Sequence, residues 1–241
     1  LDELRDLSES EVAGKIIFFN RPFDNTQINT FNAYGGAVDQ RVSGPLLASQ
    51  KGAKAVIVRS MTNKIDDNPH TGTTGRDANI KPIPAVAIST LDAEELSRAL
   101  KLGPANVYIR TTCIMHEEPV LTYNVIGEIK GQTHPEEIIL VGGHLDSWDV
   151  GGGAHDDGTG CVHSLQVIEL LEKINYKANR TIRCVLFMNE ENGLAGGKAY
   201  WEASYEAGEF HMAAIESDRG GFTPRGFTVD GHKDIFSKKY K

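Results

Sequence analysis

The second half of the sequence predicts an α/β fold in which helices cover both faces of a mostly parallel sheet. Its predicted strands are continuous apolar runs, which is typical of strands that are buried on both faces. They alternate with helix-like segments, as the elements of βαβ units do. Histidine or acidic residues follow several of these strands directly. Because open α/β sheets form their sites at the carboxyl ends of the strands, the fold class also predicts where a site would lie.

Within residues 113–241 the pattern predicts four strands and two helices. A long Gly/Asp loop over 144–160 leads into an amphipathic helix over 161–174, and a Gly-rich turn precedes a second helix that ends near residue 207. The strands are runs rich in apolar residues, predicted at 123–131, 137–143, 181–189 and 211–217.

Residues 1–112 bring together no nucleophile, general base or metal-ligand types, so we expect a small β-rich binding or covering domain there. A polar segment rich in Gly, Asn, Asp and Pro predicts a long surface loop over 61–82. The other predicted elements are helices at 40–51 and 91–103 and strands at 15–20, 55–60, 84–89 and 106–112.

Composition excludes several classes of partner. The 241 residues include 25 Lys and Arg against 33 Asp and Glu, which gives a net charge of −8. A nucleic-acid backbone or an anionic membrane surface needs a basic face, so neither is an expected partner. No apolar window approaches the roughly 18 residues of a membrane span, and residues 1–14 show no signal-peptide pattern. Three scattered cysteines (Cys113, Cys161 and Cys184) are too few for a disulfide framework or a Cys-type zinc site.

One imidazole and several carboxylates converge on the carboxyl edge of the predicted sheet. Each has an ordinary structural explanation when taken alone, such as a turn or a helix N-terminus. Together they would repel one another strongly without a cation, and they suit zinc first and manganese or cobalt next. The sequence therefore predicts a metal site formed from His144, Asp146, Asp156, Asp157, Glu190, Glu191 and Asp218.

Other chemistries fit the sequence less well. The Gly-rich stretch at 151–160 lacks the Lys-Ser/Thr ending of a P-loop and carries two Asp where an anion would sit. No G-x-S-x-G nucleophile elbow is present. Cys161 and Cys184 lie in apolar segments, which raise a thiol pKa and disfavour a cysteine nucleophile.

Three motifs resemble those of the di-zinc exopeptidases: GGHLDSWDVGGGAHDDGTG, FMNEENGLAGGKAYW and AAIESDRGG. The run HLDSWDVG with the later ESD is most similar to the plasma glutamate carboxypeptidase branch of that family. The segments GKIIFFN, GAKAVIVRS and PIPAVAIS resemble the protease-associated domain inserted in that branch. The resemblance thus implies an inserted domain at 1–112 and an incomplete zinc-peptidase catalytic domain at 113–241.

The resemblance also implies a role for each motif residue. Asp146 would orient the His144 ring, and Glu190 would be the general base that takes a proton from the attacking water and passes it to the leaving amine. Two Zn²⁺ ions would be held, the first by His144, Asp156 and Asp218 and the second by Asp156 and Glu191.

One departure from the family pattern concerns the fifth ligand, a histidine on a loop well beyond Asp218. His232 is the only histidine after Asp218, and its sequence context, GHKDIF, lies where the family has a strand and a helix. The second zinc would then lack an imidazole, so we expect the sequence to be a partial chain that is inactive by itself. Arg219 follows the last ligand and is a candidate to meet a substrate carboxylate.

The leading interpretation is a metallo-exopeptidase that hydrolyses short peptides from one end. Two alternatives stay open, a single-zinc glutaminyl cyclase on a similar fold and a non-catalytic peptidase-like binding scaffold. The resemblance further implies a secreted or periplasmic protein and allows a homodimer.

Overall fold

The computed structural model describes residues 1–70, 72–114, 116, 118–148, 151–218, 220–224 and 226–231. By its internal contacts the chain divides into two units, and the division falls after Pro119. The sequence had placed this division after residue 112.

The first unit contains a three-stranded parallel sheet formed by β1 (Ile16–Phe19), β2 (Ala55–Arg59) and β3 (Ala85–Ile88), in that spatial order. All five residues of β2 are buried, as expected for the middle strand of a parallel sheet. Buried apolar side chains of the strands and helices pack into one core: Leu4, Val12, Phe19, Ala48, Ala53, Val56 and Val58. The helices of this unit are α1 (Asp2–Asp6), α2 (Glu9–Val12), α3 (Thr30–Gly35), α4 (Asp39–Val42), α5 (Gly44–Gln50) and α6 (Thr90–Leu102).

Three predictions for the first unit differ from the structure. Among the described residues the unit is not β-rich, because its helices contain more residues than its three short strands. The helix predicted over 40–51 is divided into α4 and α5, with Pro45 in the first turn of α5, where its missing N–H breaks no helical hydrogen bond. The strand predicted over 106–112 is absent, and Val107 and Tyr108 are exposed. Strand propensity alone does not hold a strand, and within the described residues no neighbour pairs with this segment.

The second unit contains a four-stranded sheet in the order β4-β6-β5-β7. The central strand β5 (His134–His144) pairs in parallel with β6 (Arg180–Phe187) and with β7 (Phe210–Glu216). The edge strand β4 (Val125–Ile129) runs antiparallel to β6. The sheet is therefore mostly parallel, and the predicted α/β class is confirmed.

Helices lie on opposite faces of this second sheet. Cys161 of α7 (Thr159–Lys173) packs against Cys184 and Leu186 of β6. The alternate side chain Phe187 points to the other face, where its ring lies 5.6 Å from that of Tyr200 in α8 (Ala195–Glu206). Among the described residues, no helix is both long and apolar enough to cross a membrane.

The register of β5, β6 and β7 brings their carboxyl ends to one edge. His144, the last residue of β5, pairs with Phe187, the last residue of β6, and Gly142 pairs with Glu216, the last residue of β7. The segments that follow the three strands therefore start side by side.

Candidate metal centre

His144 lies at the middle of this edge and is 1% exposed. Its Nδ1 lies 2.9 Å from the main-chain carbonyl oxygen of Asp146, an acceptor to which only an Nδ1–H can donate. That tautomer leaves a lone pair on Nε2, the form in which a neutral imidazole binds a metal. Nε2 faces three carboxylates: its distance is 3.1 Å to Asp156 Oδ1, 3.8 Å to Asp218 Oδ1 and 3.9 Å to Glu190 Oε2.

Asp156 and Asp157 follow each other in the turn at residues 154–158, both with non-helical backbone angles, and the peptide bond between them is cis. The two side chains have opposite environments. Asp156 is half exposed and reaches the His144 ring. Asp157 is 1% exposed and accepts hydrogen bonds from the backbone N–H of His144 at 2.9 Å and of Gly160 at 3.1 Å. Asp157 therefore joins the end of β5 to the start of α7 and does not face the carboxylate cluster.

The approach of β7 to α7 requires a glycine at position 160. A Cβ on Gly160 would lie 1.7 Å from the carbonyl oxygen of Ser217 and 2.3 Å from Oδ1 of Asp157. The backbone N–H of Ser217 also donates to the Gly142 carbonyl at 2.9 Å. These contacts fix the residue directly before Asp218, which explains how Asp218 reaches His144.

The Asp146 carboxylate binds the segment that carries Glu190 and Glu191. It accepts hydrogen bonds from the backbone N–H of Glu190 at 2.8 Å and of Glu191 at 3.1 Å. Its Oδ1 lies 3.8 Å from His144 Nδ1, farther than the main-chain carbonyl of the same residue. The ring orientation assigned to Asp146 thus comes from its backbone in this structure, while its side chain holds the glutamates.

Glu191 supplies an observation that bears directly on a cation. Its Oε1 is buried and has no hydrogen-bond partner among the described residues. Burial of an unpaired carboxylate oxygen is costly. His144, Asp156 and Glu191 each offer one ligand atom, and these atoms lie within 4.8 Å of one another. This donor set and the unpartnered oxygen fit a zinc ion.

The pKa shifts in the carboxylate cluster also fit a bound cation. Burial, and then the neighbouring carboxylates, raise the pKa values of Glu190 and Glu191 above their ordinary range. Burial lowers the pKa of His144, but the Asp146 carbonyl and the nearby carboxylates of Asp157, Glu190 and Asp218 outweigh it, so the net shift is upward. The part of each pKa shift that comes from the neighbouring carboxylates is the part that a bound divalent cation would offset.

Another group of potential ligands, His134, Glu136 and Glu137, lies at the start of β5. His134 and Glu136 are exposed, and Glu137 forms an ion pair with Arg180. This group therefore has no buried, unpaired ligand atom that a cation would neutralise.

A cavity of about 690 Å³ opens on the α8 face of the sheet, and Glu190 lies on its wall. Its volume is in the range of small-molecule sites. Apolar and aromatic side chains form much of the lining, among them Leu140, Phe187, Leu194, Tyr200, Trp201 and Tyr205.

Sequence reasoning missed Asn124, which contacts both ends of the segment around Glu190 and Glu191. It is an isolated polar residue before β4, and no spacing or motif distinguishes it. Two residues that the sequence did single out, Arg219 and His232, lie outside the described residues.

Comparison with known sequences and structures gives a consistent result. The profile of peptidase family M28 matches residues 124–239. Carboxypeptidase Q of Xenopus laevis is 36% identical over 229 residues, which are 95% of this chain and 47% of that protein. The human carboxypeptidase Q is 34% identical over 230 residues, with the same shares of the two chains. The chain thus spans about half the length of these relatives.

Among solved structures, the crystal structure of a peptidase M28 precursor from Shewanella amazonensis superposes with a TM-score of 0.74 at 34% identity. The match covers 91% of this chain and 49% of that one. A zinc aminopeptidase from Bacillus subtilis matches with a TM-score of 0.53 at 23% identity, covering 90% and 46% of the two chains, and supports the fold alone.

Proposed function

We propose that the protein is a metal-dependent exopeptidase of peptidase family M28 acting on short peptides, since residues 124–239 match the profile of that family and the chain is 34–36% identical to carboxypeptidase Q relatives. The observation that supports this most directly is the buried, unpartnered Glu191 oxygen beside His144 and Asp156. Without a cation, the buried Glu191 oxygen would stay unpaired, which is costly.

We assign the ligands as the sequence motifs suggest. Asp156, whose side chain is half exposed and lies 3.1 Å from the His144 ring, would contribute to both zinc sites. His144 and Asp218 would complete one zinc site, and Glu191 would hold the other. When bound, zinc would supply Lewis-acid polarisation of the scissile carbonyl and a lower pKa for the attacking water.

Glu190 is our candidate general base. Its carboxylate lies 3.9 Å from His144 Nε2, next to the ligands without being the carboxylate closest to the ring. Burial raises its pKa, which brings it closer to the range in which a carboxylate accepts a proton efficiently near neutral pH. It would take a proton from the attacking water and deliver it to the leaving amine. Asp146, through the two backbone hydrogen bonds, keeps Glu190 beside the ligands.

The substrate follows from the surroundings of Glu190. The cavity on whose wall Glu190 lies has an aromatic and aliphatic lining that suits an apolar side chain of a peptide. Nucleic acid is disfavoured by the net charge of −8.

The proposal is tested with matched peptides on the full-length protein. One peptide is assayed with free ends, with an acetylated amino end and with an amidated carboxyl end. We expect hydrolysis of the free peptide, loss when one end is blocked, inhibition by a chelator and recovery with zinc. Chelator-resistant cleavage, cleavage inside a doubly blocked peptide, or cyclisation of an N-terminal glutamine without hydrolysis would overturn the proposal. Zinc binding without any turnover would favour a non-catalytic scaffold.

The remaining assignments stay proposals about the whole protein. We assign residues 1–112 to an inserted protease-associated domain and 113–241 to the catalytic domain, which the division after Pro119 supports. Secretion or a periplasmic location, and a homodimer, stay predictions that fractionation and light scattering of the full-length protein can test.

A further inference from the structure

Glu190 and Glu191 lie on a short closed segment, residues 188–196, which we call the glutamate loop. Two backbone hydrogen bonds close it: Gly196 N–H donates to the Met188 carbonyl at 2.8 Å, and Leu194 N–H donates to the Asn189 carbonyl at 2.8 Å. The loop joins β6 to α8, so its shape decides where both glutamates point.

Asn124 bridges the two ends of the glutamate loop with a single side-chain amide. Its Nδ2 donates to the Gly196 carbonyl at 2.8 Å, and its Oδ1 accepts from the Met188 N–H at 3.0 Å. Asn124 directly precedes β4, whose first residue, Val125, pairs with Leu186 near the end of β6. The antiparallel edge strand therefore brings the amide to the base of the loop.

At the base of the loop, the packing around Gly196 leaves no room for a side chain at that position. A Cβ on Gly196 would lie 2.3 Å from Asn124 Oδ1, 2.3 Å from the Met188 carbonyl oxygen and 2.6 Å from its nitrogen. Such a close approach is possible only for glycine. The amide, the glycine and the end of β6 thus form one tight contact.

The glutamate loop is held from two directions. At its tip the Asp146 carboxylate accepts from the N–H groups of Glu190 and Glu191, and at its base Asn124 bonds Met188 and Gly196. Asp146 comes from the end of β5 and Asn124 from the start of β4, so the loop is fixed by two strands of the sheet.

We propose that Asn124 is a positioning residue that sets the place of Glu190 and Glu191 at the metal centre. It touches neither the carboxylates nor a ligand atom, and it acts through the backbone of the loop. The consequence for turnover rests on the proposed function, whereas the consequence for loop order and zinc affinity does not.

The chemistry of the side chain explains why an amide is needed. Asparagine offers a donor and an acceptor at the same time, and the loop base presents one carbonyl and one N–H to it. Aspartate has the same shape but would place a carboxylate oxygen against the Gly196 carbonyl. Alanine would leave both partners without their side-chain hydrogen bonds.

The experiment compares N124A and N124D with the wild-type full-length protein, and N106A serves as the control because Asn106 is an exposed asparagine of the first unit. Three quantities are measured: amide hydrogen exchange of a peptide covering 188–196, zinc affinity by competition with a chromophoric chelator, and kcat and KM. Partners that orient a metal site typically contribute 10- to 100-fold to metal affinity or activity.

We expect N124A to accelerate exchange in the glutamate loop, weaken the more loosely bound zinc by about 10- to 100-fold, and lower kcat with KM within about threefold. N124D should show changes of the same kind, because aspartate keeps the acceptor for the Met188 N–H but repels the Gly196 carbonyl. N106A should show none. If N124A does not fold, N124D alone decides.

The proposal is overturned if N124A or N124D folds with lower thermal stability but unchanged loop exchange, zinc affinity and kcat. Asn124 would then contribute to stability alone. Should the wild-type protein bind zinc but hydrolyse no peptide, the proposed function fails, while loop exchange and zinc affinity still test the role of Asn124.

Discussion

The two units each contain three parallel strands, yet only the second gathers acidic side chains at the carboxyl ends. In the first unit the polar residues after the strands are satisfied locally: the Ser60 hydroxyl donates to the Ile88 carbonyl, and the Ser89 hydroxyl accepts from the Asp92 N–H that starts α6. In the second unit the corresponding positions place four carboxylates around or near His144.

The buried atoms without a partner sharpen this contrast. Among the described residues, the first unit has one such side-chain atom, Arg59 Nε, a donor on a guanidinium that already pairs with Glu94. The second unit has Glu191 Oε1, an acceptor beside an imidazole and another carboxylate. A donor cannot bind a cation, whereas an acceptor can. A parallel sheet brings the carboxyl ends of its strands to one edge, and the residues at that edge decide whether a functional site forms there.

The largest effect that separates the two units is expected for turnover. Glu190→Gln removes the proposed general base but no proposed ligand, so turnover should fall by about 10²- to 10⁴-fold with zinc content unchanged. The matched change in the first unit is Glu94→Gln, which breaks the pair with Arg59 and should leave turnover at the wild-type level. Peptide hydrolysis and elemental analysis of both variants test this; loss of zinc from Glu190→Gln would exchange the roles of Glu190 and Glu191.

Metal removal should loosen the second unit selectively. Zinc at about 100 times its Kd stabilises the state that binds it by about 2.7 kcal/mol, so chelation should accelerate hydrogen exchange in β5 and β6 by up to about 100-fold. Exchange in β1 and β2 should not change, since none of the proposed ligands belongs to that unit. Equal acceleration in both sheets would contradict the assignment.

A smaller effect, on the free energy of unfolding, is expected from replacing Gly160, which allows the end of β7 to approach α7 closely. Gly160→Ala would place a Cβ 1.7 Å from the Ser217 carbonyl oxygen, and overpacking of this kind costs about 1–3 kcal/mol. The control is Gly197→Ala in α8, where a Cβ meets nothing within 4 Å and alanine should stabilise the helix by up to about 1 kcal/mol. Urea unfolding distinguishes the two variants, and a neutral Gly160→Ala would show that β7 does not pack as described.

The smallest effect is a pH dependence of the metal-free second unit. Folding raises the pKa values of Glu190 and Glu191 above 4.5 and that of His144 above 6.5, so each group binds its proton more tightly in the folded state. Their contributions are complete below those ordinary values and are lost as the pH rises through the folded-state values.

The contribution of the cluster to the stability of the chelated protein should therefore fall as the pH rises from 5 to 8. His211 acts in the opposite direction in this window, because burial lowers its pKa. Glu209 does not mask this trend, because Arg183 lowers its pKa and its contribution is already complete in that window. Urea unfolding at three pH values measures the slope, and Glu191→Gln should flatten it. A slope that Glu191→Gln leaves unchanged would contradict the raised pKa of Glu191.

Much of the second unit was predictable because its signals are local. Continuous apolar runs located β5, β6 and β7 to within a few residues, and the ends of these strands and the loops after them supplied every member of the cluster. The helix α7 followed from its amphipathic spacing. The structure confirms the α/β class, and the profile match over residues 124–239 agrees with the family that the motifs resemble.

What escaped prediction depends on contacts between distant residues. The strand expected at 106–112 has the right composition but no partner among the described residues. The antiparallel direction of β4, and with it the position of Asn124, follows from which strand β4 joins, and sequence pattern does not encode that choice. Likewise, the main-chain carbonyl of Asp146 contacts the His144 ring, while its carboxylate accepts from the N–H of Glu190, more than 40 residues away. No sequence motif predicts that the two groups of Asp146 have different partners.

The central claim is that the carboxyl edge of the second sheet holds zinc, and the zinc content of the purified full-length protein after mild dialysis tests it most directly. Wild-type protein should retain zinc, and Glu191→Gln should retain at least one equivalent less, because it alters the carboxylate whose buried oxygen lacks a partner. A wild-type protein that retains no zinc, or a Glu191→Gln variant that retains as much as the wild type, would contradict the account.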